Sequence, residues 1–430
     1  MKLVKWLSLL MVAMVAMFAA GCGGDSKPAG GNDGKIHVTF WHVYSENFGA
    51  PVIKEMVEEF NKSQDKIVVK EVYNPDMYPG LMKNLQAEAA AGKAPSIAMI
   101  GYNYSKYFAQ NFKYVSPTDL QAQDSKDKEY LQKNFLPNVL SLAEVDGKLI
   151  GLPYSISAPI LYYNPEIFQA AGLDPNTPPK TWADVQEFAK IIKEKTGNYG
   201  FYMQEYADNW AIQGVLESNG ARILSEDGKQ ATFASPESKE AYEALYNMIK
   251  DGSALHISAD EGIAAFSSGK VGILAGSSAK IGTITKAASF EVRGAEYPGF
   301  EGKERRLPAG GNFLAVTAQN KDEQMAAWEF IKFIMQPKWL AKWTMNTGYL
   351  PPRQEAMDDE ALKEQLAKSE PLKVAFTEMP SLAPWVAFPG DVGVRAEKLF
   401  ADVRDKIFDG KEDIQTALQS AQDELNALLK

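Results

Sequence analysis

The chain has 430 residues, of which 45% are hydrophobic and 11% aromatic, a composition typical of a globular protein and not of a disordered one. Its formal net charge is −10, from 45 basic and 55 acidic residues. Phosphate neutralisation by basic side chains supplies most of the affinity for nucleic acid. The negative net charge and the lack of a basic cluster therefore exclude nucleic-acid binding as a function of this chain.

Residues 1–21 have the features of a secretory signal peptide. Two lysines precede an almost wholly apolar run over residues 7–20, which ends in small residues. A membrane-spanning helix needs roughly 20 apolar residues, and this run is shorter. We therefore expect export across the inner membrane, to a periplasmic or cell-surface location.

Cys22, the only cysteine, directly follows this segment. Ala19-Ala20-Gly21-Cys22 resembles the lipobox of bacterial lipoproteins, whose cysteine receives a lipid, although Ala19 stands where leucine is usual. Residues 22–34 are mostly Gly, Pro, Ser, Asn and Asp, which is typical of a flexible tether. These features predict lipidation of Cys22 and a globular body that starts near Lys35.

The body begins with alternating strand and helix patterns. At its length, two lobes are expected rather than one core. The alternation predicts parallel crossover units and an open α/β sheet. In order, the predicted elements are a strand over 36–41, a helix over 51–60, a strand over 67–72, a helix over 78–91 and a strand over 96–100.

Ligands of such sheets bind beyond the carboxyl ends of the strands. Two of these ends are rich in aromatic and polar residues, and they make Trp41, His42, Tyr44 and Tyr102 candidate ligand contacts. Trp210, in a later aromatic and polar segment, is a further candidate. The alternative for Trp41, Tyr44 and Tyr102, and also for Trp182 further along the chain, is burial in a core, because aromatic side chains bury large areas in any α/β lobe.

The middle of the chain contains an extended, proline-punctuated segment over residues 151–164, which favours a strand that crosses between lobes. Thr181 is placed to cap the long helix that follows it. We predict an N-terminal lobe from residues 36–155 and 293–318, and a C-terminal lobe from residues 158–290 and 319–430.

Catalytic motifs are weak in this chain. It has three histidines, and no second His or Cys lies at metal-ligand spacing, so neither a metal nor a cofactor is predicted. The phrase from Gly276 to Lys280 ends in lysine where a nucleophile elbow needs glycine. Glycoside hydrolases use a pair of carboxylates, and the 55 acidic residues of this chain offer many possible pairs. A lipid-anchored glycoside hydrolase or esterase is therefore the alternative to a binding protein.

The chain resembles the extracellular solute-binding proteins of the maltose-binding type, which serve ABC importers of carbohydrates. Its phrases are most similar to those of the branch that binds glycerol 3-phosphate and glycerophosphodiesters. The resemblance rests on phrases spread over nearly the whole exported chain: Phe40-Trp41-His42, Leu152-Pro153, Leu161-Tyr162-Tyr163-Asn164, Gly172-Leu173-Asp174-Pro175, Lys180-Thr181-Trp182, Gly276-Ser277-Ser278-Ala279, Gly310-Gly311-Asn312, Ala327-Trp328-Glu329-Phe330 and Thr347-Gly348-Tyr349-Leu350-Pro351.

The resemblance implies the type II periplasmic-binding-protein fold, in which two α/β lobes joined by crossing strands close over a solute. It implies a monomer without enzymatic activity that delivers a sugar, polyol or glycerol-phosphate type of solute to a membrane permease. A binder that feeds a sensor would need the same closing cleft, so that alternative stays open.

The resemblance also implies ligand contacts. It places them at Tyr78, Ser157, Trp182, Ser278, Gly311 and Tyr349. The branch has a glutamate near Tyr102 and an arginine near Phe388, and Arg395 is the residue that could replace that arginine. Because a phosphate is usually held by an arginine fork, its absence favours a neutral, hydroxyl-rich ligand.

Overall fold

The computed structural model describes residues 34–126, 128–204, 209–389 and 392–430. The predicted signal peptide, Cys22 and all of the tether except Gly34 lie outside the described residues. Among the helices of the described ranges, none is both long and apolar enough to cross a membrane.

The first sheet has five strands in the order β2-β1-β3-β13-β6. Strand β1 runs parallel to β2 and β3, whereas β13 runs antiparallel to β3 and β6. The three strands predicted at the start of the body are confirmed. The strand bounds are Ile36–His42 (β1), Ile67–Tyr73 (β2), Ile97–Gly101 (β3), Leu152–Ser157 (β6) and Gly310–Val316 (β13).

Helices cover this sheet, and the two predicted from the sequence are confirmed as α1 and α2. In α1 the buried residues include Val52, Met56, Val57 and Phe60, one face of an amphipathic helix. The helices that precede the crossing are Ala50–Ser63 (α1), Met77–Ala90 (α2), Ser105–Asn111 (α3), Pro117–Gln123 (α4), Tyr130–Asn134 (α5) and Pro137–Leu140 (α6), and a small hairpin pairs β4 (Glu144–Val145) with β5 (Lys148–Leu149).

The second sheet also has five strands, in the order β11-β7-β10-β8-β9. Its bounds are Pro159–Tyr163 (β7), Tyr199–Met203 (β8), Ala254–Leu255 (β9), Val271–Ser277 (β10) and Arg293–Ala295 (β11). Its helices are Pro165–Ala171 (α7), Trp182–Thr196 (α8), Trp210–Ser218 (α9), Pro236–Lys250 (α10), Ala259–Ser267 (α11) and Ile281–Ala287 (α12).

Thr181 caps α8, as predicted. Its hydroxyl accepts a hydrogen bond from the Asp184 N–H at 3.1 Å, and the Asp184 carboxylate accepts one from the Thr181 N–H at 2.9 Å. This reciprocal pair satisfies two of the N–H groups that would otherwise have no partner at the helix start.

The chain crosses between the sheets at Ala158, because β6 belongs to the first sheet and β7 to the second. The predicted crossing segment is therefore confirmed. The chain returns between β11 and β13. On the way, β12 (Leu307–Pro308) pairs with β14 (Leu382–Ala383) in a two-stranded ribbon beside the crossing.

The predicted lobe boundaries differ from the structure at two places. Residues 293–295 were assigned to the first lobe, but β11 pairs with β7 in the second sheet. Residues 319–430 were assigned to the second lobe, but Lys321–Ile334 (α13) and Pro337–Thr347 (α14) pack on the first. Phe330 decides this packing, since its ring contacts those of Phe40 and Phe60 at centroid distances of 5.5 and 5.2 Å.

The chain ends in four further helices. Glu360–Lys368 (α15) and Glu370–Thr377 (α16) follow α14, and Gly393–Phe408 (α17) and Ile414–Leu428 (α18) close the chain. Helices α17 and α18 belong to the core of the second lobe, with Phe400 and Leu418 among the buried residues.

A buried carboxylate holds the loop that precedes β12. Glu378 accepts hydrogen bonds from the Tyr297 N–H at 2.5 Å and from Arg305 Nη1 at 2.7 Å. Burial raises the pKa of Glu378 from 4.5 to about 7, although Arg305 opposes the shift. Desolvation of this fully buried side chain therefore outweighs its ion pair.

This carboxylate predicts a pH-dependent stability. The folded chain keeps the Glu378 proton up to about pH 7, whereas the unfolded chain loses it near pH 4.5, so protonation stabilises the fold at low pH and this stabilisation disappears as the pH rises. Relative to Glu378→Gln, we expect the wild-type free energy of unfolding to fall by about 3 kcal/mol between pH 4.5 and 8. Urea unfolding of both proteins at several pH values checks this, and parallel curves would contradict it.

Candidate functional site

A cavity of about 360 Å³ lies between the lobes, beyond the carboxyl ends of β1, β3 and β6. Both lobes contribute to its wall, and much of the wall is aromatic. The aromatic residues that line it are Phe48, Tyr78, Tyr104, Trp210, Tyr349 and Trp385. Aromatic walls with a few polar groups are typical of small-molecule sites.

A buried hydrogen-bond network supports the first-lobe wall. Asn312 Nδ2 donates to the hydroxyls of Tyr78 at 3.0 Å and Tyr44 at 2.6 Å. The Tyr44 hydroxyl and Trp343 Nε1 both donate to Ser155 Oγ, at 3.1 and 3.0 Å. Burial raises the pKa of Tyr44 well above 10, so its hydroxyl stays protonated. The network fixes the position of the Tyr78 ring, which lines the cavity.

Tyr349 extends this wall. Its ring is parallel to that of Trp343, with an interplanar angle of 5° and a centroid distance of 6.4 Å. Gly348 precedes it with a φ of +77° and ends α14, in the conformation that favours glycine after a helix. The turn at Gly348 therefore directs Tyr349 to the cavity.

The floor of the cavity lies at the crossing strands. Ser157 ends β6 and pairs with Gly310 at the start of β13, and the next residue, Gly311, pairs with Ile156. Gly311 has a φ of +110°, which L side chains rarely adopt, and a Cβ atom there would lie 2.0 Å from the Ser155 carbonyl oxygen. Glycine at this position lets the two backbones approach closely at the floor of the cavity.

The second-lobe wall is held by two indole hydrogen bonds. Trp210 Nε1 donates to the Pro308 carbonyl at 3.1 Å, and Trp385 Nε1 donates to Asn209 Oδ1 at 2.5 Å. Both bonds use the polar edge of the ring, so each indole is anchored where it lines the cavity.

One lysine lines the cavity within the described ranges, at the side formed by Phe48. Lys280 Nζ lies 5.5 Å from the centroid of the Phe48 ring. Burial lowers the pKa of Lys280, while Asp260 opposes this shift. Asn103 of the first lobe and Glu397 of the second also line the cavity, with Asn103 Nδ2 3.5 Å from Glu397 Oε1.

Five of the predicted ligand residues line this cavity. They are Tyr78, Ser157, Trp210, Gly311 and Tyr349. The structure thus brings together residues that are far apart in sequence, and the two most distant, Tyr78 and Tyr349, are separated by 271 positions. Ligand contact at these positions stays a prediction.

Four other predicted residues lie behind the cavity wall. Tyr44 belongs to the network under Tyr78, and Tyr102 is fully buried against Phe313. Ser278 Oγ accepts a hydrogen bond from the Ala158 N–H at 3.1 Å, which holds the crossing point. His42 Nε2 bonds Glu71 Oε2 at 2.9 Å, and its Nδ1 accepts from the Tyr44 N–H at 3.3 Å.

These four residues support the site without lining it. Burial lowers the pKa of His42 although Glu71 opposes the shift, and an imidazole that accepts at Nδ1 is neutral with its proton on Nε2. His42 therefore positions the backbone of Tyr44 and is not a proton donor to a ligand.

The remaining four predicted residues lie away from the cavity. Trp41 is half-buried on β1, on the face opposite to His42. Trp182 is packed in the second-lobe core between Phe201 and Tyr297. For Trp182, the structure therefore corrects the ligand role that the resemblance implied.

The predicted arginine substitute is also corrected. Phe388 is fully buried and stacks on Phe400 in the second-lobe core. Arg395 is exposed and lines a surface groove with Lys398 and Asp402 of its own helix, so it cannot replace the missing arginine at this cavity.

Several cavity residues were not among the predicted ligand contacts, namely Phe48, Asn103, Tyr104, Trp385, Lys280 and Glu397. Asn103 and Tyr104 directly follow the predicted Tyr102 at the end of β3. Because ligands bind beyond the carboxyl ends of strands in such sheets, these two residues could have been predicted in the same way. Glu397 lies in the amphipathic pattern of α17, where nothing local separates it from surface carboxylates. Within the described ranges, no group of three His, Cys, Asp or Glu side chains could hold a metal ion.

Comparison with known proteins identifies relatives along almost the whole chain. The chain is 25% identical over 412 residues to the sn-glycerol-3-phosphate-binding periplasmic protein UgpB of Brucella abortus, covering 92% of this chain and 93% of the relative. The fold matches the structure of UgpB from Mycobacterium tuberculosis in complex with glycerophosphocholine, with a TM-score of 0.79, 23% identity and coverage of 92% and 99%.

A second solved structure has the same two-lobed fold. It is the cyclic α-maltosyl-1,6-maltose binding protein of Arthrobacter globiformis, with a TM-score of 0.78, 24% identity and coverage of 92% of this chain and 100% of that chain. The family profile of the bacterial extracellular solute-binding proteins matches residues 55–369. The chain therefore belongs to the bacterial extracellular solute-binding protein family, as the resemblance predicted.

Proposed function

We propose that this protein is the lipid-anchored, monomeric solute-binding component of an ABC importer, which captures a neutral sugar or polyol between its lobes and delivers it to a membrane permease. The observation that carries the proposal is the interlobe cavity, because its wall comes from both lobes. A ligand that contacts both walls stabilises the closed state by its differential affinity. No bond in the solute needs to change.

The wall chemistry supports a hydroxyl-rich solute. Trp210, Trp385 and Tyr349 offer ring faces on which the apolar face of a sugar ring can lie. Ser157, Asn103 and Glu397 offer groups that hydrogen-bond hydroxyls. Arg395, the arginine considered for a phosphate, lies on the outer surface of α17.

A thermal-shift screen of the purified protein against sugars, polyols and glycerol phosphates tests the proposal. A ligand that binds only the folded state raises stability by RT ln(1 + [L]/Kd), which is about 2.7 kcal/mol at a hundredfold excess over Kd. We expect an upward shift of the melting temperature with at least one neutral sugar or polyol, and full recovery of that compound afterwards.

Other outcomes would contradict parts of the proposal. A shift with glycerol phosphates alone would keep solute binding and reject a neutral ligand. Consumption of the bound compound would favour the hydrolase or esterase. An unshifted melting temperature across the panel would reject this solute class.

A further inference from the structure

Lys280 is held at a place where the two lobes meet. It follows β10 of the second sheet in a single 3₁₀ turn over Ser278–Lys280, directly before α12. The Ser278 N–H donates to the Ala158 carbonyl at 2.9 Å, and Ser278 Oγ accepts from the Ala158 N–H at 3.1 Å, so this turn is tied to the crossing point. A Cβ atom on Gly348, which ends α14 of the first lobe, would lie 2.5 Å from the Ser278 carbonyl oxygen. The backbone that carries Lys280 is therefore fixed by both lobes.

The ammonium of Lys280 has no oxygen acceptor among the described residues. It makes no ion pair or hydrogen bond with them, and its Nζ lies 5.5 Å from the ring centroid of Phe48, a residue of the first lobe. Lys280 lines the cavity and is partly exposed, and its Nζ is not one of the polar atoms that are fully enclosed without a partner. This donor is therefore open to a group that enters the cavity.

Partial burial makes an ammonium without an acceptor unfavourable. Burial lowers the pKa of Lys280, and Asp260 opposes this shift with a smaller effect. The ring of Phe48 attracts the cation, but a ring face does not replace the oxygen acceptors that an ammonium has in water. An oxygen atom supplied from the cavity would restore such an acceptor.

The charges around the cavity favour a hydroxyl oxygen over an anion as that acceptor. Two carboxylates, those of Asp76 and Glu397, line the cavity with Lys280, so negative groups outnumber positive ones in the described part of its wall. A phosphate would meet this excess of negative charge, and a single ammonium lacks the two parallel donors of an arginine fork. Hydroxyl oxygens are neutral acceptors, and one ammonium has three donors for them.

We propose that Lys280 is a solute-binding, specificity-determining residue, whose ammonium donates hydrogen bonds to neighbouring hydroxyl oxygens of a neutral sugar or polyol. This inference rests on the proposed function. Because Lys280 belongs to the second lobe and lies beside Phe48 of the first, a solute bound by the ammonium is in reach of both lobes and favours their closed arrangement.

The test compares Lys280→Met with wild type by isothermal titration calorimetry and by the melting temperature without ligand. The calorimetric probes are the neutral sugar or polyol that gives the largest shift in the thermal screen, and glycerol 3-phosphate. Methionine keeps an unbranched apolar side chain beside Phe48 and has no donor. We expect the affinity for the neutral solute to fall about tenfold or more, the scale of hydrogen bonds to charged groups. The ligand-free melting temperature should equal or exceed that of wild type, because an ammonium without an acceptor is removed.

Two further variants make the comparison specific. Lys338→Met makes the same change at an exposed lysine of α14 outside the cavity, whose Nζ also lies near a ring, 5.7 Å from the centroid of Phe333. This control should leave the affinity unchanged. Lys280→Gln keeps a neutral donor on a shorter side chain, and we expect a smaller loss of affinity than in Lys280→Met. Far-UV circular dichroism checks that each variant is folded, and Lys280→Gln tests the site if Lys280→Met does not fold.

The outcomes separate this inference from the proposed function. Wild-type affinity for the neutral solute in Lys280→Met and Lys280→Gln, with or without a lower melting temperature, would overturn the inference and leave the proposed function intact. Binding of glycerol 3-phosphate in preference to every neutral solute, lost in Lys280→Met, would overturn the neutral specificity and keep solute capture. Failure of every neutral sugar and polyol to bind wild type would overturn the proposed neutral ligand and this inference together.

Discussion

Replacing Gly311 with alanine is expected to lower the free energy of unfolding by about 3 kcal/mol and to abolish ligand binding. The added Cβ would lie 2.0 Å from the carbonyl oxygen of Ser155, which is a backbone atom that cannot rotate away. The φ of +110° adds backbone strain for any L side chain. Relief of both requires β13 to separate from β6, and these strands form the floor of the cavity.

The control for this variant is Gly282→Ala. A Cβ atom at Gly282 would meet nothing within 4 Å, and this glycine lies in helix α12 without a positive φ. Alanine is favoured over glycine in helices by about 1 kcal/mol, so this variant should be as stable as wild type or more stable. Urea unfolding monitored by circular dichroism measures both. Equal stability of the two variants would show that β13 adapts to a side chain at Gly311.

Replacing Trp210 with alanine is expected to reduce ligand affinity by about thirtyfold or more, which corresponds to about 2 kcal/mol. The indole is anchored by its bond to the Pro308 carbonyl and lines the cavity, so its ring is available as a platform for the solute. Alanine removes that platform and leaves a wider, wetter cavity. Calorimetric titration with the neutral solute measures the loss.

Trp182→Ala is the matched control, because it makes the same chemical change in the second-lobe core. Trp182 is 1% exposed and packs edge to face against Phe201 and Tyr297. We expect it to destabilise the fold by about 3–5 kcal/mol. At a temperature where this variant is folded, its ligand affinity should match that of wild type. A large affinity loss in Trp182→Ala with none in Trp210→Ala would support the role that the resemblance implied for Trp182.

Local patterns predicted the first lobe well because its elements are regular and sequential. Strands β1, β2 and β3 and helix α2 lie within one residue of the predicted bounds, and helix α1 extends three residues beyond its predicted end. The spacing of their apolar residues shows which face of each element is buried, and this does not depend on which part of the chain packs against it. The lobe boundary near α13 was wrong, because an amphipathic helix does not encode which of two cores it covers.

The candidate site was predicted in part. Strand ends and the resemblance nominated Tyr78, Ser157, Trp210, Gly311 and Tyr349, which all line the cavity. They did not separate these from Trp182 or Tyr102, since a buried aromatic and a cavity aromatic have the same sequence pattern. Burial decides between them, and burial depends on neighbours that are distant along the chain.

The sequence alone was sufficient for the α/β class, the crossing at residues 151–164, the helix cap at Thr181 and membership of a solute-binding family, because these follow from local periodicity, capping and ordered phrases. The pairing of Glu397 with Asn103 depends on the tertiary structure, because these residues are 294 positions apart and on different lobes. The same is true of the exclusion of Phe388 and Arg395 from the cavity. Which side of a helix faces the cavity is set by the packing of the whole lobe, and no local pattern contains that information.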